Sequence, residues 1–328
     1  MGFPQAERVG RADQVSLGGL SLNKKIQKGV FWTVQKIKMI TDSACDIPFD
    51  LAEEWDIDVL PIPITVDGRA CFERVDFAFE SFYEVLAGTS SIPTTSHITS
   101  VAFCEKFREY YRQGYTDLIF VAINSKGSEM YNAAKMGREQ LYDDCPEARE
   151  ACKIHIIDSK NYTMSYGMAV IRAAQMAKKG AEAADILDYL EDYFDSAEIY
   201  FSVYALDYAK KSGRISAAAA FMGEMLGLRP IMSIIDGEIK IIEKVRGDKN
   251  VVPALVKYAK ERAVPSTPYC VMQGVTKEEG GELAERMEKA FGFAPYGRFQ
   301  VGAAITINSG PKVVAVCITG KNRRKAQG

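Results

Sequence analysis

The stretch Leu206-Asp207-Tyr208-Ala209-Lys210-Lys211-Ser212-Gly213-Arg214-Ile215-Ser216 decides how the rest of this chain is read. Its first six residues suit a helix, and Gly213 can take the left-handed conformation that ends one. Ser216 is then a good N-cap for a second helix over 217–226, which opens on four alanines and continues through Phe221, Met222 and Met225. Gly227 stops that helix and Pro230 forbids its resumption. Two β-like runs follow, over 231–235 and 239–242, joined by Asp236-Gly237, a strong short hairpin signal. One cation, Arg214, therefore stands at a junction between two helices, beside an apolar segment. Two readings follow: a structural role, in a salt bridge or capping carbonyls, or a countercharge for a ligand with an anionic head and an apolar tail.

Outward from this stretch, strand and helix alternate from residue 37 to 194. Strands are expected over 37–40, 59–66, 118–123 and 154–157, with helices after Pro48 and over 77–87, 100–113, 129–143, 168–179 and 185–194. This alternation predicts a mainly parallel sheet covered on both faces. Pro61 and Pro63 place the 59–66 strand near an edge. Downstream, a strand over 199–203 marks a boundary. Helices over 251–262 and 278–291 and strands over 269–273, 299–307 and 313–319 then predict a mixed sheet with helices on one face. Residues 1–36 form a polar leader, in which 23–34 is weakly amphipathic, and 321–325 a solvated basic tail.

Composition excludes several classes of function. The 328 residues are 47% hydrophobic and 26% charged, as in an ordinary globular protein of two domains. A net charge of -2 supplies no general basic field for nucleic acid or anionic membrane. The seven cysteines lack a CxxC pair and read as small core hydrophobes in a reducing, cytoplasmic compartment. Apolar runs stay short of about 18 residues, so no membrane insertion is expected. His97 and His155 are the two histidines, too few for a histidine-rich metal site. GxGxxG and GxxxxGK[ST] are absent, so a dinucleotide or P-loop site has no support.

Small hydroxyl residues recur where expected strands end. Ser43, Ser125, Ser128 and Ser159 follow strands, and Thr94-Thr95-Ser96 precedes a helix. In a doubly wound sheet the carboxyl ends of the strands open on one edge, where ligands bind. Hydroxyls and helix-terminal amides there either cap helices or form a polar cup that favours anions. Asp42 and Asp158 each follow a strand and precede a serine. They are read as acceptors for loop amides, or alternatively as general bases or metal ligands. His97 is expected to face solvent from the hydroxyl loop, and His155 to lie in the core.

Taken together, these motifs resemble the DegV family. Thr41-Asp42-Ser43, Asp46-Ile47-Pro48, Pro93-Thr94-Thr95-Ser96, the run from Ser125 to Asn132, Asp158-Ser159-Lys160 and the stretch from Leu206 through Arg214 to Pro230-Ile231 occur in that family's order and spacing. The resemblance covers about 37–319. It implies an α/β fold of two domains: a Rossmann-like parallel α/β/α sheet over 37–197, and a two-layer α/β domain with a mixed sheet over 198–328. It also implies a non-catalytic protein that encloses one long-chain fatty acid and presents its carboxylate to the catalytic subunit of a fatty acid kinase, in service of phospholipid synthesis. The acyl chain would be the ligand, without a cofactor or metal. Carried over by position, Thr95 and Ser128 would hydrogen-bond the carboxylate, with Arg214 near it and Ser96 adjacent. The chain departs from the family pattern at Glu129-Met130, at Gln273 and at Asn308, which stands where the family has a head-group histidine. Asn308 can donate a hydrogen bond but cannot carry a positive charge. Two other readings stand beside this one: a hydrolase or phosphotransferase using Asp42 or Asp158, and a lipid-sensing relative that binds another apolar anion.

Overall fold

The computed structural model describes residues 35–215 and 227–321. The helix expected over 217–226, most of the leader and most of the basic tail lie outside the described residues.

The first half runs β1 (Ile37–Asp42), α1 (Phe49–Glu54), β2 (Ile57–Leu60), β3 (Pro63–Val66), β4 (Arg69–Phe72), α2 (Phe79–Gly88) and β5 (Thr94–Thr95). It continues through α3 (Ser100–Arg112), β6 (Asp117–Ala122), α4 (Met130–Asp144), α5 (Ala148–Ala151), β7 (Lys153–Asp158), α6 (Met164–Lys178) and α7 (Ala183–Ser196). The second half comprises β8 (Ala197–Val203), α8 (Leu206–Ser212), β9 (Leu228–Ile235), β10 (Glu238–Arg246), α9 (Val251–Arg262), β11 (Cys270–Gln273), α10 (Lys277–Phe291), β12 (Gly297–Gln300), α11 (Ala303–Ser309) and β13 (Val313–Thr319).

The expected parallel sheet has the order β2-β1-β6-β7. All six residues of β6 are buried, which is why that strand reads as an apolar run without alternation. Phe103 of α3 meets Phe120 edge-on at 4.9 Å on one face. On the other face lies α6, which packs on β1 and also on β8 of the second sheet. A helix wedged between two sheets must be apolar nearly all round, and α6 buries Met164, Tyr166, Ala169, Val170 and Ala173.

The second sheet is mixed, with the order β10-β9-β8-β13-β11-β12. Its outer face packs Tyr200, Val271 and Val316 under Leu255 of α9 and Leu283 of α10. Its inner face, with Ile199, Phe201, Met272 and Ala315, belongs to the same apolar cluster as the parallel sheet. The helices α9 and α10 thus lie on one face, as expected, and the other face is closed by α6 and the parallel sheet.

Two element assignments are corrected. The run 59–66 is not one strand: β2 joins the parallel sheet, whereas β3 joins a separate antiparallel sheet β4-β3-β5. Pro61 and Pro63 lack the N–H groups a continuous ladder needs. The run 299–307 is not a strand either. Pairing ends with β12, and Ala303–Ser309 is helical. The amides of Gly302 and Ala304, at the start of that helix, donate to Asp46 and Glu73, both at 3.0 Å. Such a cap comes from across the molecule, and the β-branched Ile305-Thr306-Ile307 gives no local sign of it. The hairpin at Asp236-Gly237 forms as expected, with φ of 53° and 73° as its turn type requires.

Candidate functional site

A cavity of about 520 Å³ lies between the two sheets, within the range of about 300–1,000 Å³ usual for small-molecule sites. Its deep wall comes from the inner face of the mixed sheet: Ile199 and Phe201 of β8, Met272 of β11, and Val313 and Ala315 of β13, all buried. Ile234 and Ile239, one on each arm of the β9–β10 hairpin, add to this apolar lining. The polar lining residues Thr95, Ser96, His97, Lys126, Ser128 and Arg214 are half-buried or exposed. The floor is thus largely apolar, with the buried Thr163 and Ser309 also on the wall, and the rim carries hydroxyls, the two cations Lys126 and Arg214 and the carboxylate of Glu129.

Each rim group is set by its own backbone. Thr95 lies in β5, which pairs with β3, and the amide of Ser96 donates to the Pro63 carbonyl at 3.0 Å. The hydroxyls of Thr95 and Ser96 have no partner among the described residues. Ser128 stands at the start of α4, where its Oγ accepts the Met130 amide at 3.3 Å and its own O–H stays free to donate. Arg214 follows Gly213, whose φ of 69° ends α8 as the sequence predicts. Its Nη1 donates to the Ser212 carbonyl at 2.9 Å, so the guanidinium does cap the helix end. It meets no carboxylate among the described residues, and its other donors remain available at the rim.

The five residues singled out from the sequence, Thr95, Ser96, Ser128, Arg214 and Asn308, all line this one cavity. Asn308 is the least free of them. Its Nδ2 donates to the Ala304 carbonyl one turn back along α11, at 2.6 Å.

The two aspartates sit elsewhere and act as braces. Asp42 is fully buried and accepts the Ile123 amide at 2.7 Å, the Tyr166 hydroxyl at 2.7 Å and the Ala44 amide at 3.2 Å. Burial outweighs these bonds and lifts its carboxyl to about 6. Asp158 accepts the Ser125 amide at 3.0 Å, the Ser125 hydroxyl at 2.5 Å and the Lys160 amide at 2.9 Å. Together they hold the loop 123–128 that carries Ser128, and neither lines the cavity. Ser43 and Ser159 are likewise consumed internally, Ser43 by Glu73 and Ser159 by Asn161. Of the strand-end serines, Ser125 and Ser128 line the cavity. His97 lies exposed at the rim, as expected, whereas His155 is corrected. It is half-buried on the edge strand β7, with Nε2 3.3 Å from Asp117 Oδ1, because an edge strand leaves one side open to solvent.

Sequence reasoning missed Tyr162 and Thr163. Tyr162 lines the cavity, accepts from Asn124 Nδ2 at 3.1 Å and is held above the usual phenol range by burial. A Cβ on Gly127 would come within 2.1 Å of its hydroxyl, which explains the glycine before Ser128. Thr163 precedes α6 with φ 53° and ψ -150°, a strained conformation for a β-branched residue. Its Oγ1 is buried on the cavity wall beside the Asp46 carboxylate. Neither residue carries a local signal, since both matter only through what the fold sets against them.

The profile of a family described as uncharacterised proteins of the DegV family matches residues 36–321. A DegV domain-containing protein from Caldanaerobacter subterraneus subsp. tengcongensis is 30% identical over 285 residues, which cover 86% of this chain and 98% of that one. A relative from Clostridium perfringens is 28% identical over 286 residues, again 86% and 98%. Among solved structures, a stearic-acid-binding protein from Eubacterium ventriosum superposes with a TM-score of 0.77 at 24% identity, covering 88% of this chain and 99% of its own. DegV, a fatty-acid-binding protein from Bacillus subtilis, gives 0.75 at 23%, covering 88% and 100%. At these identities the likeness establishes the α/β fold.

Proposed function

The chain belongs to the DegV family, and from that premise we propose that it is a fatty-acid carrier without catalysis of its own. It encloses one long acyl chain and presents the carboxylate at the cavity rim to the catalytic subunit of a fatty acid kinase. The reading is carried by one observation: a cavity with a buried apolar floor whose rim offers the free hydroxyls of Thr95, Ser96 and Ser128 beside the Arg214 guanidinium. Solved relatives of the same fold bind stearic and vaccenic acid, which supports the ligand class. In this reading the first domain spans 37–197, the second spans 198–328, and the ligand lies between them in the cytoplasm.

The energetics suit such a ligand. Burying roughly 14 methylenes at about 0.8 kcal/mol each gives about 11 kcal/mol. Association opposes this with an estimated 4–15 kcal/mol. A buried carboxylate must in addition be paired, and charge-assisted bonds to hydroxyls and a guanidinium do this well.

Mass spectrometry of the purified protein, native and after solvent extraction, tests the proposal. The expected result is one fatty acid per chain, released on denaturation. A protein that arrives empty and takes up no added fatty acid would end this reading.

A further inference from the structure

The tip of the β9–β10 hairpin, beyond Ser233, has no sheet neighbour besides its own return strand among the described residues. β8 pairs with β13 at seven positions but with β9 at two, Tyr200↔Ser233 and Phe201↔Met232. The tip instead reaches the loop that carries Ser128. Asn124, fully buried, donates from Nδ2 to the Gly237 carbonyl at 2.8 Å and to the Tyr162 hydroxyl at 3.1 Å, while its Oδ1 accepts the Lys126 amide at 3.2 Å. Next to it, Lys126 and Glu238 form an exposed ion pair at 3.2 Å. Gly237 is buried although it sits in a hairpin turn, and a Cβ there would press on Asn124 and Lys126 at 3.3 Å. Ile234 and Ile239, which flank this tip, are cavity wall.

We propose that the β9–β10 arm is the door of the cavity and that Asn124, supported by the Lys126–Glu238 pair, is its latch. Beyond Ser233 the tip pairs, among the described residues, with its own return strand, so it swings without breaking the ladder to β8. Closed, the arm's tip is held to the Ser128 loop by one buried amide hydrogen bond and one solvent-screened ion pair, while its base stays anchored through the buried Ile231 and Met232 and the Lys257–Glu243 pair to α9. Opening moves Ile234 and Ile239 together, so the apolar wall parts as a unit. The same amide that latches the arm also shapes the loop bearing Ser128, so closure and rim geometry are coupled. Asn124 is thus a positioning residue. The door rests on the carrier reading; the latch does not.

Two measurements on the full chain separate the two. Hydrogen exchange on the ligand-free protein reads the latch. Amides of 234–239 are expected to exchange on the order of tenfold faster in Asn124→Ala and about twofold faster in Lys126→Glu, with the parallel sheet unchanged. The charge swap Lys126→Glu with Glu238→Lys should restore slow exchange, which general damage to the fold would not allow. Unchanged exchange in both single variants, or a swap that fails to rescue, would overturn the latch. Stopped-flow uptake of cis-parinaric acid and its displacement by oleate read the door. Entry and exit should both speed up in Asn124→Ala. Faster exchange at 234–239 with unaltered ligand rates would overturn the door. A wild-type protein that takes up no probe would end the carrier reading and the door with it, while the exchange data would still decide the latch.

Discussion

The carboxylate of Asp42, at the end of the first strand, accepts the backbone amide of Ile123 at 2.7 Å across 81 positions of sequence. Asp158 does the same for Ser125 at 3.0 Å. Two acidic residues read from the sequence as acceptors for loop amides, or alternatively as catalytic groups, are thus the braces of the loop that brings Ser128 to the cavity. Removing Asp158 should therefore act on the loop. Asp158→Ala is expected to loosen amide exchange over 123–128 and to weaken fatty-acid binding on the order of tenfold, since bonds to a charged acceptor contribute about 1.5–3 kcal/mol. A variant with full binding and native exchange would exclude this bracing role.

The countercharge role of Arg214 has a selective signature. Arg214→Ala should weaken binding of palmitic acid by about ten- to a hundredfold, the scale of a charge-assisted bond, and leave the matching alcohol almost untouched. Isothermal titration of both ligands decides it. Equal losses would mean that the guanidinium serves only the helix end it caps through Ser212.

Stability should depend on pH in a direction opposite to ordinary acid denaturation. Burial raises Asp42 to about 6 and Glu73 to about 7, above their ordinary 3.8 and 4.5. A carboxyl with a raised folded-state pKa keeps its proton longer in the folded than in the unfolded chain. Its contribution is therefore most favourable at low pH and is lost as pH rises through the folded value. Each shift corresponds to something on the order of 3 kcal/mol. Urea unfolding at pH 5 and pH 8 should show the wild type losing stability between them and Glu73→Gln losing less. Identical slopes would show that Glu73 does not titrate in this window.

Packing around Gly127 makes a steric prediction. Gly127→Ala sets a methyl group against the Tyr162 hydroxyl, and overpacking of this kind costs about 1–3 kcal/mol. Adding Tyr162→Phe should recover part of the loss, seen as a partial return of Tm. An alanine variant as stable as the wild type would mean that the loop shifts freely, contrary to its bracing by two aspartates.

Much of the fold was legible in the chain because it is written in local terms. The all-apolar run of β6, the helix stop at Gly213 and the Asp236-Gly237 turn each follow from residues that are neighbours in sequence. The family pattern likewise marked Thr95, Ser96, Ser128, Arg214 and Asn308, which the fold gathers on one cavity. Asp42 and Asp158, read from the sequence as acceptors for loop amides, meet those amides at Ile123 and Ser125. Three features were decided by the tertiary structure alone: one helix, the place of Tyr162 and the reach of Asn124. The helix Ala303–Ser309 forms where β-branched residues suggested a strand, because Asp46 and Glu73 cap its first amides from the other half of the molecule. Tyr162 reached the cavity through Asn124, and Asn124 reached the hairpin tip across 113 residues. Periodicity and turn chemistry act over a few residues, so a sequence displays them directly. A hydrogen bond between distant segments depends on which surfaces the folded layers bring within about 3 Å of each other, and that is set only once the two sheets have closed on their shared core.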